Sequence, residues 1–378
     1  MKKITIILGA LILTASLKSQ TDSIKVKLEE SENVKPFQFT FVSPVGTNGI
    51  ACFKTTNRVS LNVLVGVAKE LRGFEAGGIA NVILKDMEGA QFAGVANVVL
   101  GNVHGGQFAS YFNYCGKDFR GVAIAGVGNV NLGGMHGTQV AMSFNFNRKG
   151  GSGSQIAGYT NVTLGNFKGV QISSAANIVV GDIKGAQICA GVNVAKKVKG
   201  VQIGFVNIAD SVDGATIGFL NIVRKGKHQI EISGDELFYA NLSFRTGSNA
   251  FYNVFTTGFR PGSKDNIWHF GYGAGTSFKI KNKLSGDLAL TIQHLSFGGF
   301  YWGTSEIMRL YIGVEYKLAK KVAIAIGPTL NMYVSDVLLK DSKTNTENVL
   351  PYHSYNYTNS QDFNLKGWVG GRIALRFL

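Results

Sequence analysis

Two rhythms of apolar and polar residues divide this chain. Toward the C-terminus the period is two. In IMRLYIGVEYKL, Met308, Leu310, Ile312, Val314, Tyr316 and Leu318 fall on one side of an extended backbone, and Arg309, Tyr311, Gly313, Glu315 and Lys317 on the other. In VAIAIGPTLNMYV, Val322, Ile324, Ile326, Leu330, Met332 and Val334 alternate with Ala323, Ala325, Gly327, Thr329 and Asn331. The last segment, LKGWVGGRIALRFL, sets Leu365, Val369, Ile373, Leu375 and Phe377 against Lys366, Trp368, Arg372 and Arg376. Such alternation predicts strands covering the roughly 9–11 residues needed to cross a bilayer, apolar outward and polar inward. A soluble antiparallel sandwich also alternates. The wide apolar side and the short lysine-rich turns, KNK at 281–283 and AKK at 319–321, favour a membrane barrel wall. FYW at 300–302 fits an interfacial aromatic girdle.

Between Gly73 and about His228 the period becomes sixteen. Asn81, Asn97, Asn113, Asn129, Asn145, Asn161, Asn177 and Asn193 each stand sixteen residues after the last, and Asn207 and Asn221 follow at fourteen. Six residues before most of them stands Gln91, Gln107, Gln139, Gln155, Gln171 or Gln187, with Glu75 and Ala123 in the same slot of two other copies. Each copy holds a run such as QIAGYTNVTL followed by a break such as GNFKG, which reads as strand then turn. A helix is excluded, because each glycine in its interior costs about 1 kcal/mol. Ten equal copies predict a translational unit, one coil of a β-solenoid in preference to one hairpin of a meander. Sixteen residues allow three short sides, and ten coils stacked at about 4.8 Å make a rod on the order of 48 Å long. In-register stacking places Asn over Asn and Gln over Gln as amide ladders, around a core too narrow for aromatics. The same amides could instead grip a sugar or polymer, but identical slots in every coil serve stacking first. Lys168, Lys184 and Lys199, read as variable turn positions, are the better candidates for surface binding.

Composition adds an address. Residues 1–19, MKKITIILGALILTASLKS, have the basic start and short apolar run of a secretory signal. Losing Lys2, Lys3 and Lys18 with it lowers the formal charge from +15 to +12. The basic residues are scattered rather than clustered, so they read as a solvated surface suited to anionic lipid or sugar and not as a nucleic-acid site. Cys52, Cys115 and Cys189 are odd in number and far apart, which indicates neither a disulfide framework nor a zinc site. His104 and His136 occupy one slot of two repeats and read as exposed turn residues. The expected organisation is a signal at 1–19, a linker at 20–36, first strands at 37–72, repeats at 73–228 and a barrel region at 229–378.

Strand direction bears on topology. The longest polar segment, 336–363, should lie outside, since such barrels keep short turns in the periplasm. Counting back, and adding the strand at 59–68, gives eight strands with the repeats facing the exterior. The segments FQFTFVSPV at 37–45 and QIEIS at 229–233 complicate the count, and with ten strands the repeats become periplasmic.

No reaction is legible. GYGAG at 271–275 lacks the helix a phosphate loop requires, and no HExxH, GxSxG or paired catalytic carboxylates occur. Asp235 and Glu236 are read as loop residues. No catalytic, cofactor-binding or metal-binding residues are assigned.

The GxQhxGxxN core of the repeat, together with SPVGTNG and VSLNVLVG before it, resembles the surface-repeat-containing proteins of Gram-negative bacteria over residues 37 to about 228. That resemblance implies an envelope location and brings no catalytic residues. The expectation is an all-β, non-enzymatic outer-membrane protein without cofactor: an antiparallel barrel of 8–10 strands carrying a β-solenoid of about ten 14–16-residue coils. Its partners would be outer-membrane lipid and an envelope protein or glycan, with no nucleic acid. One alternative is a pore with the repeats as plug or vestibule, and another is a soluble secreted adhesin.

Overall fold

The computed structural model describes residues 33–261, 266–297, 305–336, 350, 354–358 and 363–377. The expected signal, nearly all of the linker, the FYW segment and most of the 336–363 loop lie outside the described residues. The described chain is all-β, a parallel β-solenoid of about ten turns followed by a closed eight-strand antiparallel barrel.

Each coil has two sides, not the three that its length allows. One side is a seven-residue strand such as Met87–Ala93, the other a four-residue strand such as Ala96–Val99. Only Gly94 and Val95 turn the corner between them, too few residues for a third side. Coils pair in parallel and in register, Gln91 on Gln107 and Asn97 on Asn113. Toward the barrel the second corner straightens, and Ala176–Cys189, Val192–Ile203 and Val206–Ile217 run as continuous strands.

One half of the narrow interior is apolar, with Ile83, Met87, Val99, Val103, Phe119, Met135, Phe167, Val179 and Ile183 buried in one cluster. Two phenylalanines therefore enter a core expected to exclude aromatics. Gly151, between Met135 and Phe167, leaves room beside Phe167, while Phe119 stacks between Val103 and Met135.

The segments 37–45 and 59–68 belong to the solenoid and not to the barrel wall. Val34–Val42 pairs in parallel with Thr56–Ala68, which pairs onward with Glu70–Gly77 and Ala80–Ile83. Alternation alone cannot tell a barrel strand from a first coil, but Asn62 can, because its Nδ2 donates to Asn81 Oδ1 at 2.9 Å.

The glycine that opens each copy sits inside a strand. Gly169 has φ +141°, and a Cβ there would lie 1.9 Å from the Gly153 carbonyl oxygen of the coil below. Only glycine lets the two backbones approach at that point.

The barrel strands are Lys227–Asp235, Ala240–Gly247, Tyr252–Arg260, Ile267–Lys279, Leu284–Phe297, Ser305–Ala319, Val322–Asp336 and Phe363–Phe377. Each pairs antiparallel with the next, and the last pairs with the first to close the wall. QIEIS is thus part of the first barrel strand, and GYGAG part of the fourth. The tight connections 248–251, 280–283 and 320–321 share one end of the barrel with Lys227, so the solenoid joins at the short-turn end.

Candidate functional site

The amide ladder is continuous. Asn81, Asn97, Asn113, Asn129, Asn145, Asn161, Asn177, Asn193 and Asn207 each donate through Nδ2 to Oδ1 of the next, at 2.8–3.1 Å. Each also ties the short side of its coil to the long side of the next, as Asn161 does by donating to the Ile172 carbonyl at 2.8 Å. The glutamine column is interrupted. Gln107 reaches Gln91 at 3.3 Å, Ala123 breaks the run, and bonding resumes from Gln155 to Gln139, Gln171 to Gln155 and Gln187 to Gln171 at 2.8–2.9 Å. These side chains are fully buried, so none is placed to meet a ligand.

Lys168, Lys184 and Lys199 are strand residues, not turn residues. They stack on one another along an exposed outer column, and His136, in the same column, meets Ser152 Oγ at 2.9 Å. The glycine after each lysine kept the strand going where the sequence suggested a break.

Glu75 is the one carboxylate in the ladder interior. Asn62 Nδ2 donates to Oε1 at 3.0 Å and Gln91 Nε2 to Oε2 at 2.8 Å. Burial outweighs these bonds and raises its pKa from about 4.5 to about 7. A carboxyl raised in the fold contributes full stability below its unfolded value and loses it as pH rises through the folded one. The first coils should therefore lose on the order of 3 kcal/mol between pH 4 and pH 8. Glu75→Gln should flatten that profile and stabilise the protein at pH 8, since Ser60 lies beside the slot to accept the new amide. Urea unfolding of parent and variant at pH 4, 6 and 8 checks this, and parallel profiles would refute it.

The barrel interior holds a dense ion network, Lys227, Arg245, Arg309, Arg372 and Arg376 against Glu231, Asp235, Glu236, Asp287 and Glu315, with Lys366 buried on the inward side as well. Glu231 sits among three guanidiniums, with Arg376 Nε at 2.7 Å, Arg245 Nη2 at 2.9 Å and Arg372 also bonded. Asp287 bridges Arg245 at 2.7 Å and Arg376 at 2.6 Å, and Glu315 takes Arg376 Nη1 at 2.7 Å. Nearer the long-loop end, Arg309 pairs with Asp235, and Trp368 Nε1 donates to Glu236 at 2.8 Å. Asp235, read from sequence as a loop residue, ends the first barrel strand, and Glu236 is a loop residue as expected; both reach the inner network. Arg245, Arg309 and Arg376 are all less than 2% exposed. The outer wall is the reverse, with Ile232, Leu242, Leu290 and Ile373 about half exposed, at 52–53%.

The solenoid meets the barrel through the last ladder residue. Asn221 donates from its backbone N at 2.9 Å and from Nδ2 at 2.7 Å to Asn253 Oδ1 of the third barrel strand. Thr246 Oγ1 donates to the Asn221 carbonyl at 2.7 Å, and Asn253 Nδ2 to the Gly218 carbonyl at 2.7 Å. Phe219 stacks on Phe205 at 5.0 Å and on Tyr272 of the barrel at 4.9 Å. Sequence reasoning missed Asn253, whose only signal is that it continues the run of asparagines into a region of different period.

Comparison with protein-family models, with curated proteins and with solved structures finds no match.

Proposed function

We propose that this is a non-enzymatic outer-membrane protein of a Gram-negative envelope, in which the barrel is an anchor and the solenoid a rigid scaffold for an envelope partner. One observation carries the reading: the eight-strand wall is apolar outside and charged inside. A soluble barrel has the opposite arrangement, whereas lipid demands an apolar exterior. The signal-like N-terminus and the resemblance of the repeat to envelope proteins support it. Since barrels of this kind keep short turns in the periplasm, the solenoid joined at that end is periplasmic. This reverses the exterior placement obtained from an eight-strand count that included 59–68.

The pore alternative is disfavoured by the packed ion network, because eight strands enclose space that side chains can fill. Purified protein in planar bilayers should therefore show no conductance, and stable channels would revive that alternative. Proteolysis after membrane fractionation tests the anchor. The solenoid should survive protease added to intact cells and be cut once the outer membrane is permeabilised. Recovery in the soluble fraction would reject the anchor, and cleavage on intact cells would reject the periplasmic placement.

A further inference from the structure

We propose that the solenoid lies along the bilayer with one corner turned into the lipid, so that the barrel and the rod form a single membrane-facing surface. The inference rests on the barrel being a membrane anchor and goes beyond it by assigning the rod's exposed face an occupant, a phospholipid leaflet.

Charge distribution within the repeat is the first observation. In all ten copies the stretch from the glutamine slot to two residues past the asparagine, such as QIAGYTNVT, contains no charged residue except the buried Glu75. Lysines, arginines and aspartates of the copies occupy the opposite edge of the coil. The uncharged corner is not hidden, because Phe92, Tyr111, Ile156, Tyr159 and Phe205 are 39–67% exposed along it. Over ten coils the strip is about 48 Å long. It is longer and more uniform than the isolated apolar patches a soluble monomer tolerates.

The joint is the second observation. Thr246, Asn253 and Tyr272, which bond the last coil, lie on the same side of their strands as the outward-facing Phe244, Phe255 and Phe270, opposite the lumen residues Arg245 and Tyr252. The ladder runs along the rod axis and ends on the outward side chain of Asn253. The rod therefore leaves through the side of the rim instead of beneath the lumen.

Orientation is the third. Asn253 sits at the short-turn rim, and Phe255 and Tyr272 stand opposite each other one step further up the wall. Phe219, in the uncharged corner, packs on both, at 6.0 and 4.9 Å. The corner thus faces the apolar band of the barrel and the lysine-bearing edge faces away. Apolar burial at a bilayer flanked by basic residues is the physics of interfacial segments, here built from strands.

The test uses the full-length chain in nanodiscs of phosphatidylethanolamine and phosphatidylglycerol. Nitroxide labels at Ile172→Cys, Lys184→Cys and Leu290→Cys report collisions with oxygen and with a water-soluble nickel chelate. The expected result is that Ile172→Cys shifts to the oxygen-favoured value of the barrel-wall label Leu290→Cys, while Lys184→Cys stays nickel-favoured. A nickel-favoured Ile172→Cys beside an oxygen-favoured Leu290→Cys would overturn this inference alone. A nickel-favoured Leu290→Cys would overturn the membrane anchor itself. Shielding of Ile172→Cys from both reagents, with spin–spin broadening, would assign the strip to a second copy and also reject the lipid.

Discussion

Glu231→Ala should unfold the barrel at denaturant concentrations that leave the parent intact. Glu231 accepts from Arg245, Arg372 and Arg376 in a lumen where it is fully buried. After truncation Arg245 and Arg376 keep Asp287, and Arg376 also keeps Glu315. Arg372 keeps the hydroxyls of Ser233 and Ser243, at 3.1 and 3.2 Å, and the Tyr311 ring at 5.9 Å, but loses the carboxylate it is bonded to. Stripping one partner from a buried ion pair costs about 3–5 kcal/mol, far more than the net worth of the pair. Urea titration of the detergent-solubilised protein, followed by heat-modifiable gel migration, measures the loss. The double variant Glu231→Gln with Arg372→Gln should recover part of it, because no guanidinium is then left uncompensated. A single variant as stable as the parent would mean the network contributes nothing to the wall.

A methyl group at residue 169 should be nearly as damaging. Gly169→Ala forces a Cβ to 1.9 Å from the Gly153 oxygen and asks an L-residue to hold φ +141°. Backbone strain alone costs about 1–3 kcal/mol, and the clash displaces one coil from the next, so the total should exceed about 4 kcal/mol. Lys168→Ala, at the exposed neighbour in the same strand, should stay within about 0.5 kcal/mol of the parent. Protease susceptibility of the solenoid in urea distinguishes them. Equal susceptibility of the two variants would show that the glycine column is not required for stacking.

The sequence carried the repeat and the alternating strands because both are local signals. Asn at interval sixteen fixes a coil, and Met308 to Leu318 fixes a wall strand, without any knowledge of neighbours. Pairing partners are not local. Thr56–Ala68 alternates well enough to pass for a wall strand, and only its register against Glu75 and Asn81 reveals it as a coil. The same gap hid the lumen network. Arg309, Arg372 and Arg376 were visible on the polar side of their strands, but Glu231, Asp235 and Asp287, which neutralise them, lie 74 to 145 residues away in sequence. Lys168, Lys184 and Lys199 were misplaced for another reason: glycine ordinarily punctuates a strand, and here it permits one.

The ladder's regularity makes length a free parameter of this protein. Any internal copy presents the same asparagine donor upward and the same asparagine acceptor downward, so removing or duplicating sixteen residues between Gly105 and Gly153 preserves the asparagine ladder across the cut. Reach would then change in steps of about 4.8 Å per copy. The seat on Asn253 and the first coils at Asn62 would stay as they are. A lineage could lengthen or shorten such a rod by recombination between its own repeats, using the chain as a ruler whose gradations are single coils.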